Sequence, residues 1–358
     1  MKDEILGALP DVLTFENGKK VTDIPAWEER RKEILEKAVL LEYGGMPPKP
    51  EVFRLEKLCE DSYRIHCGTK EKQISFCFDV YKPEGKGKRP VVLTGDAMYH
   101  RNCNDRVIEE ANRRGFLVVK FNRCALAPDC YTSERTDGIY PLYPELAFSA
   151  ISAWAWGYHR VVDALLQLDF VDADRIAITG HSRGGKAVLL AGATDERIRY
   201  VNPNGSGTHG CGCYRYIQHN DCTLYNDERS EPLSFLFEAV PYWMGAGMRD
   251  YIGREAELPH DSHFFKALVA PRLFLETNAC GDIWANPKGS YLSFLAAKEV
   301  WKLYGQERNC QTWYRNGVHR HGWEDFNALF DFMEADINST PMPASMTRIP
   351  YEDECFRK

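Results

Sequence analysis

The chain has 358 residues, 44% of them hydrophobic and 27% charged, with a formal net charge of −7. At roughly 100–200 residues per domain that length admits one large α/β unit or two to three small domains, and the ordinary composition fits neither disordered, collagenous nor coiled-coil chains. The net negative charge and a pI near 5.9 argue against a broad nucleic-acid or anionic-lipid footprint. No run of about 18 apolar residues occurs and the first residues lack the basic and apolar regions of a signal peptide, so neither membrane spanning nor export is expected. Twelve cysteines, scattered and partly inside apolar runs, read as reduced thiols and with them as a cytoplasmic location.

In chain order, residues 1–60 carry one helix signal, 26–41, and read as an N-terminal helical extension. Residues 63–81 alternate apolar and polar side chains around Gly68-Thr69-Lys70, which predicts a hairpin at an antiparallel edge. The pattern then becomes strand followed by helix. Short β-rich runs at 91–94, 116–121, 175–179, 272–276 and 311–314 are separated by helical candidates at 105–114, 144–168, 183–193, 291–304 and 323–337. That alternation predicts a three-layer α/β unit with a mostly parallel central sheet covered on both faces. No repeat or linker divides the chain, so residues 1–358 read as a single domain. Residues 202–262, rich in Gly, Asn, Cys and Tyr, break the alternation and are expected to form a cap-like insertion over a site. The tail from Ser339 is expected on the surface.

The strongest local signal is Arg175-Ile-Ala-Ile-Thr-Gly-His-Ser-Arg-Gly-Gly-Lys186: a strand, then Gly180-x-Ser182-x-Gly184, then a helical run. Glycines on both sides of the turn remove Cβ atoms that would collide in a strained elbow, and the elbow lifts the Ser182 hydroxyl clear of the backbone. The helix start then offers N–H groups to a developing oxyanion. A serine hydroxyl needs a base, and the base needs an orienting acid, in the order Ser, acid, His. The loop after the last strand supplies two histidines, His319 and His321, of which His319 is nearer the strand. Asp282 follows the run 272–276 directly, the usual place for the acid in an α/β-hydrolase, whereas nothing local marks the rival Glu231. Cys211, Cys213 and Cys222 do not have a familiar zinc spacing, and no metal or organic cofactor is expected.

Gly180-His-Ser-Arg-Gly-Gly-Lys-Ala187 resembles the nucleophile motif of the glucuronoyl esterases, bacterial carbohydrate esterases of the α/β-hydrolase fold and their relatives. Ala153-Trp-Ala-Trp-Gly157 is similar to the preceding helix of that family. Leu258-Pro-His-Asp-Ser-His263 and Ala270-Pro-Arg272 resemble its approach to the acid-bearing strand, Asp282-Ile-Trp-Ala-Asn-Pro-Lys-Gly289 its loop beyond, and Val240-Pro-Tyr-Trp243 its Phe-Pro-x-Trp segment. The resemblance covers about residues 90–335. It places Glu231 and Asp282 at the two positions where members carry an acid, and His319 at the base. It further implies that Arg183 supports the oxyanion through guanidinium and backbone N–H, and that Lys186 and Trp243 hold the sugar. Arg123 and Asp129 resemble a loop flanking the oxyanion side.

The activity implied is a serine esterase cleaving a carboxylic ester of a uronic acid, with a small-molecule or oligosaccharide ester as its partner and neither nucleic acid nor membrane. Removal of an acyl decoration such as acetate is the alternative within the same chemistry. A catalytically silent hydrolase-fold binding protein is the alternative of another class, and a metal-dependent hydrolase using Cys211, Cys213 and His209 a third. The oligomeric state is not readable from the sequence.

Overall fold

The structure is a computed structural model that describes residues 2–99, 102–130, 135–220, 228–346, 348, 350 and 351. A two-residue strand β1 (Glu4–Ile5) precedes helix α1 (Ile24–Tyr43), which Asp23 caps by accepting from the Ala26 N–H and which ends at Gly44 in the left-handed region. Three strands then run back and forth as β2 (Val52–Lys57), β3 (Ser62–Gly68) and β4 (Gln73–Tyr81), with Gly68 opposite Gln73 at the expected hairpin. After β5 (Arg89–Thr94) come α2 (Asp105–Arg113), β6 (Leu117–Phe121), α3 (Ala150–Leu165), β7 (Val171–His181), α4 (Arg183–Thr194) and β8 (Tyr200–Asn204). The remainder comprises β9 (Tyr216–Ile217), α5 (Leu233–Ala239), α6 (Ser262–Ala267), β10 (Leu273–Ala279), α7 (Pro287–Leu303), β11 (Cys310–Arg315) and α8 (Trp323–Ile337).

Nine of these strands form one sheet in the order β11-β10-β8-β7-β5-β6-β4-β3-β2, while β1 and β9 pair separately. Neighbours from β11 through β6 are parallel, and β4, β3 and β2 continue antiparallel. Successive side chains of a strand point to opposite faces. Accordingly Val91 and Leu93 enter the large core with α1, α3, α4, α6 and α7, and Val92 enters a smaller core with Val107 and Ile108 of α2 and Phe326, Leu329 and Phe330 of α8. The three layers follow from that alternation, and the fold class is the α/β-hydrolase type.

Expected boundaries differ most in three places. Residues 52–57, placed in the helical extension 1–60, form the edge strand β2, so the extension ends by joining the sheet. The insertion assigned to 202–262 begins later, because Tyr200–Asn204 is a central strand hydrogen-bonded between β7 and β10. The helix expected over 144–168 starts only at Ala150, where Ser149 caps it by accepting from the Ser152 N–H. Among the described residues no helix is long and apolar enough to cross a membrane.

Candidate active site

Ser182 joins β7 to α4 with φ 56° and ψ −123°, a strained conformation for a residue with a Cβ. The glycines around it are sterically required. A Cβ on Gly180 would stand 2.7 Å from the Gly184 carbonyl oxygen, and one on Gly184 would stand 2.5 Å from Asp96 Oδ1. The Ser182 N–H donates to the Asn204 carbonyl at 2.9 Å, which ties the elbow to β8. The first N–H groups of α4 begin at Arg183, where helix geometry leaves donors without an intrahelical acceptor.

His319 and Asp282 reach the elbow from the ends of β11 and β10. Nδ1 of His319 lies 2.6 Å from Oδ2 of the buried Asp282, and His319 and Ser182 line one open cleft of about 620 Å³. Gly205, at φ 47°, leaves room for this carboxylate, since a Cβ there would stand 3.2 Å from Asp282 Oδ2. Glu231 is elsewhere: its Oε2 lies 2.9 Å from Lys186 Nζ, which also donates to the carbonyls of Ser206, at 2.8 Å, and Thr208. Of the two acids, the fold therefore sets Asp282 on the imidazole and Glu231 on a buried lysine. Burial lowers the Lys186 ammonium, and Glu231 opposes that shift.

Lys186, Glu231 and Trp243 are 2%, 6% and 3% exposed and do not line the cleft; they form a buried cluster beside it. Arg183 bridges the two. Its guanidinium meets both oxygens of Asp129 at 3.1–3.2 Å and lies 4.6 Å from the centre of the Trp243 ring, with Lys186 Nζ 5.8 Å from the same centre. Asp129 also accepts from Tyr242 at 3.1 Å and from Arg123 at 3.4 Å. Arg123 is fully buried, bonded to Asp96 at 2.5 Å and stacked on Trp154, so it lies beneath the elbow and out of the cleft. The side chains read from the sequence thus divide into a cleft set (Ser182, Arg183, His319, with Asp282 behind), a neighbouring buried set (Lys186, Glu231, Trp243) and a supporting pair (Arg123, Asp129).

Sequence reasoning passed over Asp96 and His181. Asp96 follows β5 and accepts from the His181 N–H at 2.8 Å, so it braces the elbow from below; burial raises its carboxyl even against the Arg123 charge. His181 turns Nδ1 to Asn204 Oδ1 at 2.7 Å, and its ring centre is 4.3 Å from that of His319. Burial, then the neighbouring His319, holds its imidazole well below the usual range, so it packs on His319 as a neutral ring. Its signal was its place inside the Ser182 motif, and that of Asp96 was its position past a strand end, where α/β folds gather their ligands. His321 stacks on Phe326, ring centres 4.1 Å apart, and among the described residues neither of its ring nitrogens has a hydrogen-bond partner.

The residues proposed for a metal do not assemble one. His209 turns Nδ1 to Glu42 and Nε2 to the Trp243 carbonyl, each at 3.0 Å, Cys211 and Cys213 are buried free thiols, and Cys222 lies outside the described residues. Among the described residues no group of three potential ligands is placed to hold a metal ion.

A parallel sheet with a strained serine turn at its centre, and a histidine–aspartate pair arriving from the next strand ends, defines the α/β-hydrolase class. Within it, the family model described as glucuronyl esterase, fungi, matches residues 65–305. The chain belongs to the glucuronoyl esterase family, and so to the carboxylic ester hydrolases. It is 29% identical to the 4-O-methyl-glucuronoyl methylesterase of Schizophyllum commune over 88% of this chain and 78% of that protein. It is also 29% identical to the protein of the same name from Podospora anserina, over 84% of this chain and 61% of that one. Among solved structures, a carbohydrate esterase family 15 glucuronoyl esterase from Caldicellulosiruptor kristjansonii superposes with a TM-score of 0.88 at 29% identity, covering 98% of this chain and 96% of that one.

Proposed function

We propose that this chain hydrolyses the carboxylic ester of a uronic acid, with Ser182 as nucleophile, His319 as base and Asp282 as the acid that orients it. The observation that carries the reading is the 2.6 Å His319–Asp282 contact in the cleft that holds the Ser182 elbow. The relatives named 4-O-methyl-glucuronoyl methylesterase support the uronate as the acyl half. The Ser182 oxygen bonds to the ester carbonyl carbon and gives its proton to Nε2 of His319. Asp282, accepting from Nδ1–H, fixes the ring and stabilises the imidazolium. When the tetrahedral intermediate collapses, the carbon–alkoxy bond breaks and the departing alcohol takes that proton. Water then repeats the sequence on the acyl-enzyme and releases the uronate. N–H groups at the start of α4 meet the oxyanion, and the Arg183 guanidinium, held by Asp129 at the cleft wall, adds positive charge near it. Lys186, Glu231 and Trp243, buried behind Arg183, back the side of the cleft assigned to the sugar ring.

Steady-state hydrolysis of benzyl glucuronate and p-nitrophenyl acetate by wild type and Ser182→Ala tests this. The expected result is uronate turnover that the substitution abolishes, with fluorophosphonate labelling lost in parallel. Cleavage of the acetate alone would return the chain to a general acyl esterase, and labelling that persists in Ser182→Ala would remove the nucleophile assignment.

A further inference from the structure

The cleft that holds Ser182 and His319 continues between the start of α2 and the start of α8, where Arg106 lies on Trp323 with its guanidinium carbon 4.1 Å from the ring centre. The charge here opposes that of the molecule. The chain carries a net −7, yet among the described residues the cleft lining holds Arg106, Arg183 and Arg320 and not one Asp or Glu. A cleft lined by one sign of charge focuses its potential on whatever enters.

The three arginines are not equivalent. Arg183 is held by Asp129, and Arg320 by Glu324 at 2.8 Å. Arg106 is exposed, and among the described residues no carboxylate lies within 4.0 Å of it. Its guanidinium carbon lies over the indole, and the planar fork of N–H donors on such a group matches a carboxylate. The wall beside it is polar as well. His321 is 3% exposed, and among the described residues neither of its ring nitrogens has a hydrogen-bond partner. Burial, then the Arg315 charge, holds its imidazole down to about 3, so it stands behind that wall as a neutral ring.

The proposed ester supplies no negative charge at the reacting centre, because its carboxyl is esterified until the last step. The proposed function assigns the acyl sugar to the Arg183 side of the cleft, which the buried Lys186, Glu231 and Trp243 cluster backs, so the arm toward Arg106 falls to the alcohol. We infer that Arg106 and Trp323 form a second binding position, which takes a carboxylate carried on the alcohol half of the ester. The preferred substrates are then esters joining a uronate to an alcohol that is itself part of an acidic molecule. This inference rests on the ester-hydrolase reading above and adds the identity of the leaving group.

The test uses a matched pair, benzyl glucuronate and 4-carboxybenzyl glucuronate, with wild type, Arg106→Gln and Arg106→Lys at low and high salt. The expected result is a kcat/KM about fivefold higher for the carboxylated ester at low salt, carried mainly by KM, as an exposed ion pair allows. The ratio should fall to about one in Arg106→Gln or at high salt, and be partly retained in Arg106→Lys. A wild-type ratio of one or less, or a ratio that Arg106→Gln leaves intact, overturns the proposal. Calorimetric binding of the same two esters to Ser182→Ala reads the position without turnover, so failure of hydrolysis and failure of this site are told apart. Free 4-(hydroxymethyl)benzoate and free glucuronate serve as inhibitors that locate the charge. If Arg106→Gln weakens only glucuronate, the anion belongs to the acyl half and the assignment to the alcohol is wrong.

Discussion

His319 and Asp282 meet at 2.6 Å through Nδ1 and Oδ2, while Glu231 spends its carboxylate on Lys186 at 2.9 Å. The two acids are therefore separable by experiment. Asp282→Asn should keep the fold and reduce kcat by roughly 10³–10⁴, the scale of losing the group that sets the tautomer of the base. Glu231→Gln leaves the His319 pair intact and weakens the contact to Lys186, so its loss should fall mainly on KM. Stopped-flow or steady-state kinetics on benzyl glucuronate, with both variants checked by circular dichroism, separates the roles. A larger kcat loss in Glu231→Gln would reverse them.

Beneath the elbow, Arg123 and Asp96 form a pair with side chains 0% and 1% exposed, and Asp96 also takes the His181 N–H. Removing one member of a buried pair costs about 3–5 kcal/mol, because the other charge stays buried. Arg123→Met should therefore lower the unfolding free energy by that amount, and Asp96→Asn added to it should recover part. Chemical denaturation of both singles and the double gives the coupling. Losses that simply add would show that the pair does not hold the elbow.

The parts of this molecule legible in the sequence are those whose signal is local. The elbow, the helix 323–337 and the hairpin at Gly68 each carry their pattern within about a dozen residues. Strand β8 was missed because Asn202, Pro203 and Asn204 interrupt its apolar run, yet those polar residues are there for the site. Asn202 accepts from Thr179 at 2.7 Å, and Asn204 donates to Thr277 while accepting from His181. Asp282 could be read from its place after a strand, whereas which acid reaches His319 depends on strand order, since β10 and β11 are neighbours and the Glu231 segment is not part of the sheet. The same reason hid Asp96. Its contact with the elbow arises only because β5 and β7 pair side by side.

That contact makes Gly184 a sensitive position. A Cβ there would lie 2.5 and 2.7 Å from the two Asp96 carboxyl oxygens, and Asp96 is pinned by Arg123 and the His181 N–H. Overpacking a fixed site of this kind costs about 1–3 kcal/mol. Gly184→Ala should lose that much in thermal or urea unfolding, and should lower kcat disproportionately because the strain falls on the turn holding Ser182. A fully active, equally stable Gly184→Ala protein would show that Asp96 is free to move.

Acid sensitivity follows from four imidazoles that burial holds below their usual range, His181 among them. Burial holds His159 down to about 4, and His263 and His321 to about 3, against an ordinary value of 6.5. Between those limits the unfolded chain binds protons that the folded one refuses, so stability is complete above about pH 6.5 and declines as the pH falls toward 3–4. Each histidine contributes a slope of up to about 1.4 kcal/mol per pH unit. Glu42 adds to the decline at lower pH. Burial alone would raise its carboxyl, but hydrogen bonds from His209 and His260 hold it at about 2, so its contribution is present above 4.5 and lost on descending to 2. The Tm measured from pH 8 to pH 4 should stay level above 7 and then drop steeply. His321→Phe removes one of the four groups and keeps the stack on Phe326, so it should flatten the acid limb while leaving the Tm at pH 7.5 little changed. An acid limb of unchanged slope in His321→Phe would mean that this imidazole takes up its proton in the folded protein, and that the decline has another origin.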